Sequence, residues 1–421
     1  MTYGHPSGQL ENANLFSTET LKRLRLWRVL MGPNLTQALS QSIKFASVTA
    51  RNRVVMAPMV TNFASPKGEV TDRQTKYYAE RARGGLGTIV VEASPIRQDV
   101  PISSRQIGSY DECFIPGLAR LARTIKSEDT VALMQLVHGG PKIWTGPGLR
   151  TESVSSIGIR KGDVPHILTI PELRQVKKGF VAAASLARRA GFDGVELHAA
   201  HFYLLSASLS PYTNQRTDEY GGSVLNRSRL TREIIESIKT ELGPQWPVWV
   251  RMHAREDLQP GLKLEEAQEI AKILVQAGAD AIHVSAYTLP INPKIARMVN
   301  IKVGSLPLRD TPPGPFLDYA KAIKQAVPVP VIAVGKLDDP SLAARAVVEG
   351  KCDMVALARQ LICDPHWSQK VAEGRAGEIV HCNYCNTCHT AQQRGEEIRC
   401  SQNLNLCGKP IYKPVEKKKR G

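Results

Sequence analysis

The chain contains no apolar run of about 18 residues, so no segment is long enough to cross a membrane as a helix. Its first residues, Met1-Thr2-Tyr3-Gly4-His5-Pro6, lack a charged stretch leading into an apolar core. A secretory leader is therefore not expected, and the expected location is the cytoplasm. The Gly-x-Gly-x-x-Gly phosphate loop is missing after the first candidate strand, where Val60-Thr61-Asn62-Phe63 stands instead. That disfavours an open doubly wound nucleotide-binding sheet. Solenoid-type repeats are also missing. The chain is 42% hydrophobic and 22% charged, which excludes a mainly disordered chain and a fibre.

The 421 residues suffice for two or three domains, or for one α/β barrel of about 250 residues with extensions. Net charge is +16, with a basic run at Lys417-Lys418-Lys419-Arg420. Such a surplus can attract nucleic acid, anionic membrane or phosphorylated ligands. Terminal charge runs are commonly just solvated, so neither a nucleic-acid nor a membrane partner is expected. Leu21, Leu24, Trp27 and Leu30 share one face of a short basic helix, which is expected to dock on the main domain.

From residue 54 short apolar runs alternate with amphipathic helical patterns. The strand candidates are 54–59, 86–93, 130–137, 193–199, 247–254, 280–287, 330–335 and 353–358. Helical patterns include 172–190, 227–242 and 264–277, and Gly84, Gly191, Gly243, Gly278 and Gly350 stand at helix ends. Eight βα units in succession predict a closed (β/α)8 TIM barrel. The connection 138–170 is too long for an ordinary turn and is expected to cover the site. The expected organisation is an extension over 1–42, the barrel over 43–375, a Cys-rich segment over 376–408 and a basic tail over 409–421.

A barrel carries its site at the C-terminal ends of its strands. There the sequence places Pro58-Met59, Gln135 and His138, His198 with His201 and Tyr203, Arg251 and His253, Gly335-Lys336, and Ala358-Arg359. A core needs none of these polar groups, and burying them unpaired would cost several kcal/mol. The last two pairs occupy the common phosphate position of such barrels. For the two histidines alone, the competing reading is a pair of satisfied core side chains.

The segment from His198-Ala199-Ala200-His201-Phe202-Tyr203 runs on to Ser210-Pro211-Tyr212-Thr213-Asn214-Gln215-Arg216-Thr217-Asp218-Glu219-Tyr220-Gly221-Gly222-Ser223, then Asn226-Arg227. It resembles the old yellow enzyme family of FMN oxidoreductases. Asn52-Arg53 with Ala57-Pro58-Met59, Tyr78 to Gly85, Gln135-Leu136-Val137-His138 and Asp353 to Arg359 extend the resemblance over roughly residues 43–405. The resemblance implies that Pro58, Met59 and Ala93 approach the flavin by their backbones. It gives Gln135 the pyrimidine edge and Arg251 the N1/O2 edge, while Gly335, Lys336, Ala358 and Arg359 hold the phosphate. His198 and His201 would polarise a substrate carbonyl, and Tyr203 would protonate the α-carbon. Two departures stand out. Phe202 replaces the family's usual Gly, and Val60 offers the flavin no side-chain hydrogen bond.

Five of the eight cysteines fall between 382 and 407. Cys382-x2-Cys385-x2-Cys388-x11-Cys400 suits a [4Fe–4S] cluster better than zinc, which prefers two separated pairs. With Ser401-Gln402-Asn403 following, the run resembles the subgroup of 2,4-dienoyl-CoA reductase and trimethylamine dehydrogenase. Those enzymes continue into nucleotide-binding domains, for which this sequence has no counterpart after Cys400. The expectation is an FMN enzyme that reduces a C=C bond conjugated to a carbonyl, with a [4Fe–4S] cluster in a C-terminal iron–sulfur segment relaying electrons to FMN. Its electrons would come from NAD(P)H, from a one-electron carrier such as a ferredoxin or flavodoxin, or from a separate reductase subunit. An amine dehydrogenase and a zinc-stabilised basic binding protein are the alternatives. Oligomeric state stays open.

Overall fold

A computed structural model describes residues 35–143, 149–291, 296–297 and 302–406. The amphipathic stretch at 21–30, the basic tail and Cys407 lie outside the described residues. All eight strand candidates form. They are β1 (Val54–Met56), β2 (Thr88–Pro95), β3 (Val131–Val137), β4 (Gly194–Ala199), β5 (Val248–Glu256), β6 (Ala281–Tyr287), β7 (Val331–Val334) and β8 (Met354–Leu357). They pair in chain order, all parallel, and β8 closes on β1 through Val355 opposite Val54. Their residues are buried almost without exception, as a sheet covered on both faces requires.

Helices wrap the outside. The principal ones are α1 (Asp72–Arg83), α2 (Ile115–Lys126), α3 (Ile170–Arg189), α4 (Leu204–Leu209), α5 (Val224–Leu242), α6 (Leu264–Gln276), α7 (Leu317–Ala326) and α8 (Pro340–Val348). α3 starts with a capping box, in which Thr169 and Glu172 exchange side-chain and backbone bonds. The left-handed residue after α1 is Gly85 (φ 85°) rather than Gly84. Gly84 is needed for space, because a Cβ there would sit 1.9 Å from the Pro365 carbonyl oxygen.

A hairpin, Ile43–Phe45 with Val48–Ala50, plugs the N-terminal end of the barrel. Phe45 meets the Trp249 ring edge-on at 4.9 Å. The opposite end therefore holds the open mouth. Two strands depart from the sequence expectation in a way that shapes it. β1 leaves the ladder at Met56, before Pro58, which has no N–H to give to a neighbour. In β2 the register shifts between Val91 and Ser94, which puts Ala93 in a bulge.

The long run after His201 proves to be scaffolding. Asn214 donates its amide to Ser208 O (2.7 Å) and Tyr220 O (2.8 Å), folding the turn on itself. Arg216 reaches Leu168 O (2.6 Å) and Val154 O (3.1 Å), pinning the long connection after β3 over the mouth. Arg227 ties Leu209 O and Glu266.

Candidate active site

Strand ends from β4 to β6 bring His198, His201, Tyr203, Arg251, His253 and Ser285 into one group. The His198 ring lies 4.9 Å from that of His201 and 4.8 Å from that of Tyr203, centroid to centroid, both edge-on. Burial is the main cause that holds both histidines well below their usual pKa, with neighbouring Arg251 next. They are neutral imidazoles near pH 7. His198 Nδ1 accepts from Ala200 N (3.4 Å), which leaves its proton on Nε2. The His201 ring meets Ser285 Oγ at 3.3 Å.

His253 positions this pair. Its Nε2 accepts the backbone N–H of His201 (2.8 Å), so its Nδ1 carries the proton that Glu256 accepts at 3.0 Å. Ser210 donates to the other Glu256 oxygen at 2.5 Å. His201 and Phe202 both lie in the left-handed region (φ 64° and 60°). Glycine fits there at no steric cost, which is why phenylalanine is an exception at 202. Phe202 is fully buried, with its ring against Tyr287 (4.9 Å) and His253 (5.7 Å), and this packing offsets the strain.

Tyr203 stands immediately before α4, and its side chain makes no capping bond. Burial raises its phenol above the usual pKa, so it stays protonated. Lys142, from the connection after β3, stands with its Nζ 5.4 Å from the Tyr203 ring centre and 3.3 Å from His201 O. Burial, then Arg160, lowers its ammonium to about 8.

Gln135 donates its amide to Glu196 at 2.7 Å, and the second Glu196 oxygen meets His283 Nδ1 at 2.8 Å. His138 is turned aside, 3.1 Å from Glu152. Arg251 is buried and its Nε has no partner among the described residues. A donor stranded this way fits an electron-rich ligand edge, such as that of a flavin.

Gly335 and Lys336 form a left-handed turn after β7 (φ 113° and 47°). Lys336 Nζ bonds Arg309 O (2.8 Å), and Arg359, opening a short helix after β8, bonds Asn386 Oδ1 (2.6 Å). The Tyr384 ring lies within 4.5 Å of the Lys336 ammonium and 4.6 Å of the Arg359 guanidinium, and its phenol bonds Asp338. Pro58 and Ala358 flank the same end of the barrel, and Met59 packs against the core. Cations in a turn of left-handed backbone suit a phosphate group.

The Cys-rich segment lies along this edge of the mouth. Ile398 N donates to Thr61 O (3.0 Å), and Asn62 donates to Glu396 O (2.9 Å). Cys382, Cys385 and Cys388 each interact electrostatically with Cys400. The thiols nonetheless have separate partners. Cys385 faces Ser401 Oγ (3.1 Å) and Thr387 Oγ1 (3.2 Å), while Cys400 accepts a hydrogen bond from the free Cys363 thiol. Among the described residues, no three His, Cys, Asp or Glu side chains gather as a metal-holding group.

Lys142, Glu256, Ser285 and Glu196 were not singled out from the sequence. Only Glu256, three residues past His253, carries a local signal.

A closed barrel with this donor set and a phosphate-type turn after β7 and β8 defines the flavin-dependent class of barrel oxidoreductases. The chain belongs to the NADH:flavin oxidoreductase / NADH oxidase family, whose profile matches residues 38–378. It is 37% identical over 391 residues to an NADH oxidase of Thermoanaerobacter brockii, covering 89% of this chain and 58% of that protein. A cinnamate reductase of Clostridium sporogenes is 29% identical, with the same two coverages. The solved structure of a 2-naphthoyl-CoA reductase superposes with a TM-score of 0.82 at 28% identity, over 88% of this chain and 58% of that one. The chain thus spans little more than half the length of these relatives.

Proposed function

We propose that the chain reduces a C=C bond conjugated to a carbonyl, with His198, His201 and Tyr203 as its catalytic residues. The carrying observation is a pair of neutral histidines in edge-on ring contact at the barrel mouth, with the buried His198 ring also edge-on to a protonated tyrosine. FMN, when bound, would supply the hydride that the β-carbon receives. Neutral imidazoles donate to the carbonyl oxygen without delivering a full charge, and so stabilise the enolate as it forms. His253 and Glu256 keep the His201 backbone in place for this. Tyr203 gives its proton to the α-carbon, which completes the addition of hydride and proton across the double bond. The names of the cinnamate and 2-naphthoyl-CoA reductases support this choice over amine oxidation, which has no carbonyl to polarise.

Pro58, Met59, Ala93, Gln135, Arg251, Gly335, Lys336, Ala358 and Arg359 would hold FMN. The unpaired Nε of Arg251 and the Gly335-Lys336 turn support that assignment. Cys382, Cys385, Cys388 and Cys400 are the proposed ligands of a [4Fe–4S] cluster, on the strength of their spacing along the chain. Barrel and cluster segment would divide near residue 375. Mixing anaerobically reduced protein with an enone tests the reading. Flavin reoxidation with a saturated product is the expected result, and an inert reduced flavin with every conjugated carbonyl offered would overturn it. Iron and flavin counts on anaerobically purified protein test both cofactors.

A further inference from the structure

Each carboxylate at the mouth already has a cationic or hydrogen-bonding partner. Glu196 holds Gln135 and His283, Glu256 holds His253 and Ser210, and Glu152 holds Arg97. On the cationic side Arg251 and Lys142 are exceptions, and Arg251 is assigned to the flavin. The Lys142 Nζ has a backbone carbonyl at 3.3 Å and the face of Tyr203 at 5.4 Å, and among the described residues no acidic side chain pairs with it. Arg160 and Arg251 add further positive charge near the same place. A partly desolvated ammonium among other cations is costly unless an anion joins it.

We propose that Lys142 binds the carboxylate of the substrate, which makes the substrate of this site a free α,β-unsaturated carboxylate rather than a neutral enone. This rests on the C=C-reduction reading and narrows it. One carboxylate oxygen takes the His198 and His201 N–H groups, and the other takes the ammonium, whose His201 O contact places it on the histidine side of Tyr203. The chemistry calls for such a cation. Hydride addition to the β-carbon of a ketone leaves one negative charge, which two neutral donors can stabilise. The same addition to a carboxylate leaves two, so an additional positive charge beside the oxygens is needed. The double bond gains one hydride and one proton, and the carboxylate leaves unchanged.

The test is equilibrium binding to the oxidised holoenzyme, followed by the flavin absorption change, with cinnamate, cinnamamide and cinnamoyl-CoA as probes. Lys142→Met should weaken cinnamate by about 10- to 100-fold, the size expected for a charge-assisted bond, and cinnamamide by no more than about threefold. Lys142→Arg should restore part of the cinnamate affinity. Unaltered flavin content in both variants shows that the fold is intact. Equal losses for cinnamate and cinnamamide, or the largest loss for cinnamoyl-CoA, would overturn the assignment. Turnover separates the two readings. Reduction of cinnamaldehyde with cinnamate neither bound nor reduced sinks this inference alone. Lys142-dependent cinnamate binding with no reduction of any probe keeps the carboxylate site and sinks C=C reduction.

Discussion

The histidine side and the cysteine side of the mouth are built in different ways. On the histidine side each ring leaves a barrel strand or the turn right after it, and the supporting bonds are internal: Glu256 to His253, His253 to the His201 backbone, Ser285 to the His201 ring. On the cysteine side Cys382, Cys385 and Cys400 sit in irregular backbone and Cys388 in the first turn of a short helix (Thr387–Gln393), with Tyr384 and Asn386 in left-handed backbone. That loop is held by groups other than its thiols: Asn386 to Arg359, Asn383 O to Arg309, and Cys382 N to Gln360. Strand ends pre-set a hydrogen-bonding site through the sheet itself. A thiol site built largely on loops leans on its surroundings for position and would need a bound metal to converge.

The sharpest way to break this comparison is at Tyr203. Tyr203→Phe should slow reoxidation of reduced flavin by an enone by roughly 10²–10⁴-fold, while reduction of the flavin stays close to wild type. Stopped-flow measurement of the two half-reactions checks it, and equal reoxidation rates would remove Tyr203 from the chemistry.

Next in size, His198→Ala should lower that rate by roughly 10²–10³-fold and weaken binding of a phenolate carbonyl mimic, with flavin retained. If the variant loses flavin and keeps its ligand affinity, the residue serves the cofactor instead.

Cys388→Ser probes the other side. Iron per chain should fall, and turnover driven by a one-electron carrier should be lost. Phenol binding at the histidine side should change by no more than about threefold if the two sides are independent. Iron analysis and a ligand titration on one sample decide it.

The smallest effect belongs to Glu92, a buried carboxyl in β2, behind both sides. Thr61 donates to its Oε2 from Oγ1 (2.6 Å) and N (3.0 Å), and its Oε1 has no hydrogen-bond partner among the described residues. Burial raises its pKa from 4.5 to about 7. The unfolded chain therefore loses this proton at lower pH than the folded one, and wild-type stability declines as pH rises from 4.5 to about 7. Glu92→Gln removes that decline. Melting temperatures should lie close together near pH 5, with the variant higher at pH 8, and a constant difference would contradict the assignment.

Much of the barrel was legible because its strands are buried on both faces and so read as unbroken apolar runs. The eight runs, and the residues that end them, name Gln135, His198, Arg251, Gly335 and Ala358 directly. The motif from Ser210 to Arg227 was legible too, but its structural job was not. Asn214, Arg216 and Arg227 fasten turns and the covering loop by bonds to backbone carbonyls distant in sequence, which no local pattern encodes.

By itself the sequence determined the eight-fold βα order, the donor residues at the strand ends and the spacing of the four cysteines. Each of these is a local property, set by side-chain periodicity or by distance along the chain. Only the tertiary structure decided that His253 holds His201 through its backbone, that Phe202 stands in a left-handed turn against Tyr287, and that Lys142 faces Tyr203 with no acid beside it among the described residues. It also decided that His198 and His201 are both neutral, because desolvation depends on what the closed barrel packs around them, and that packing brings together residues far apart in the chain.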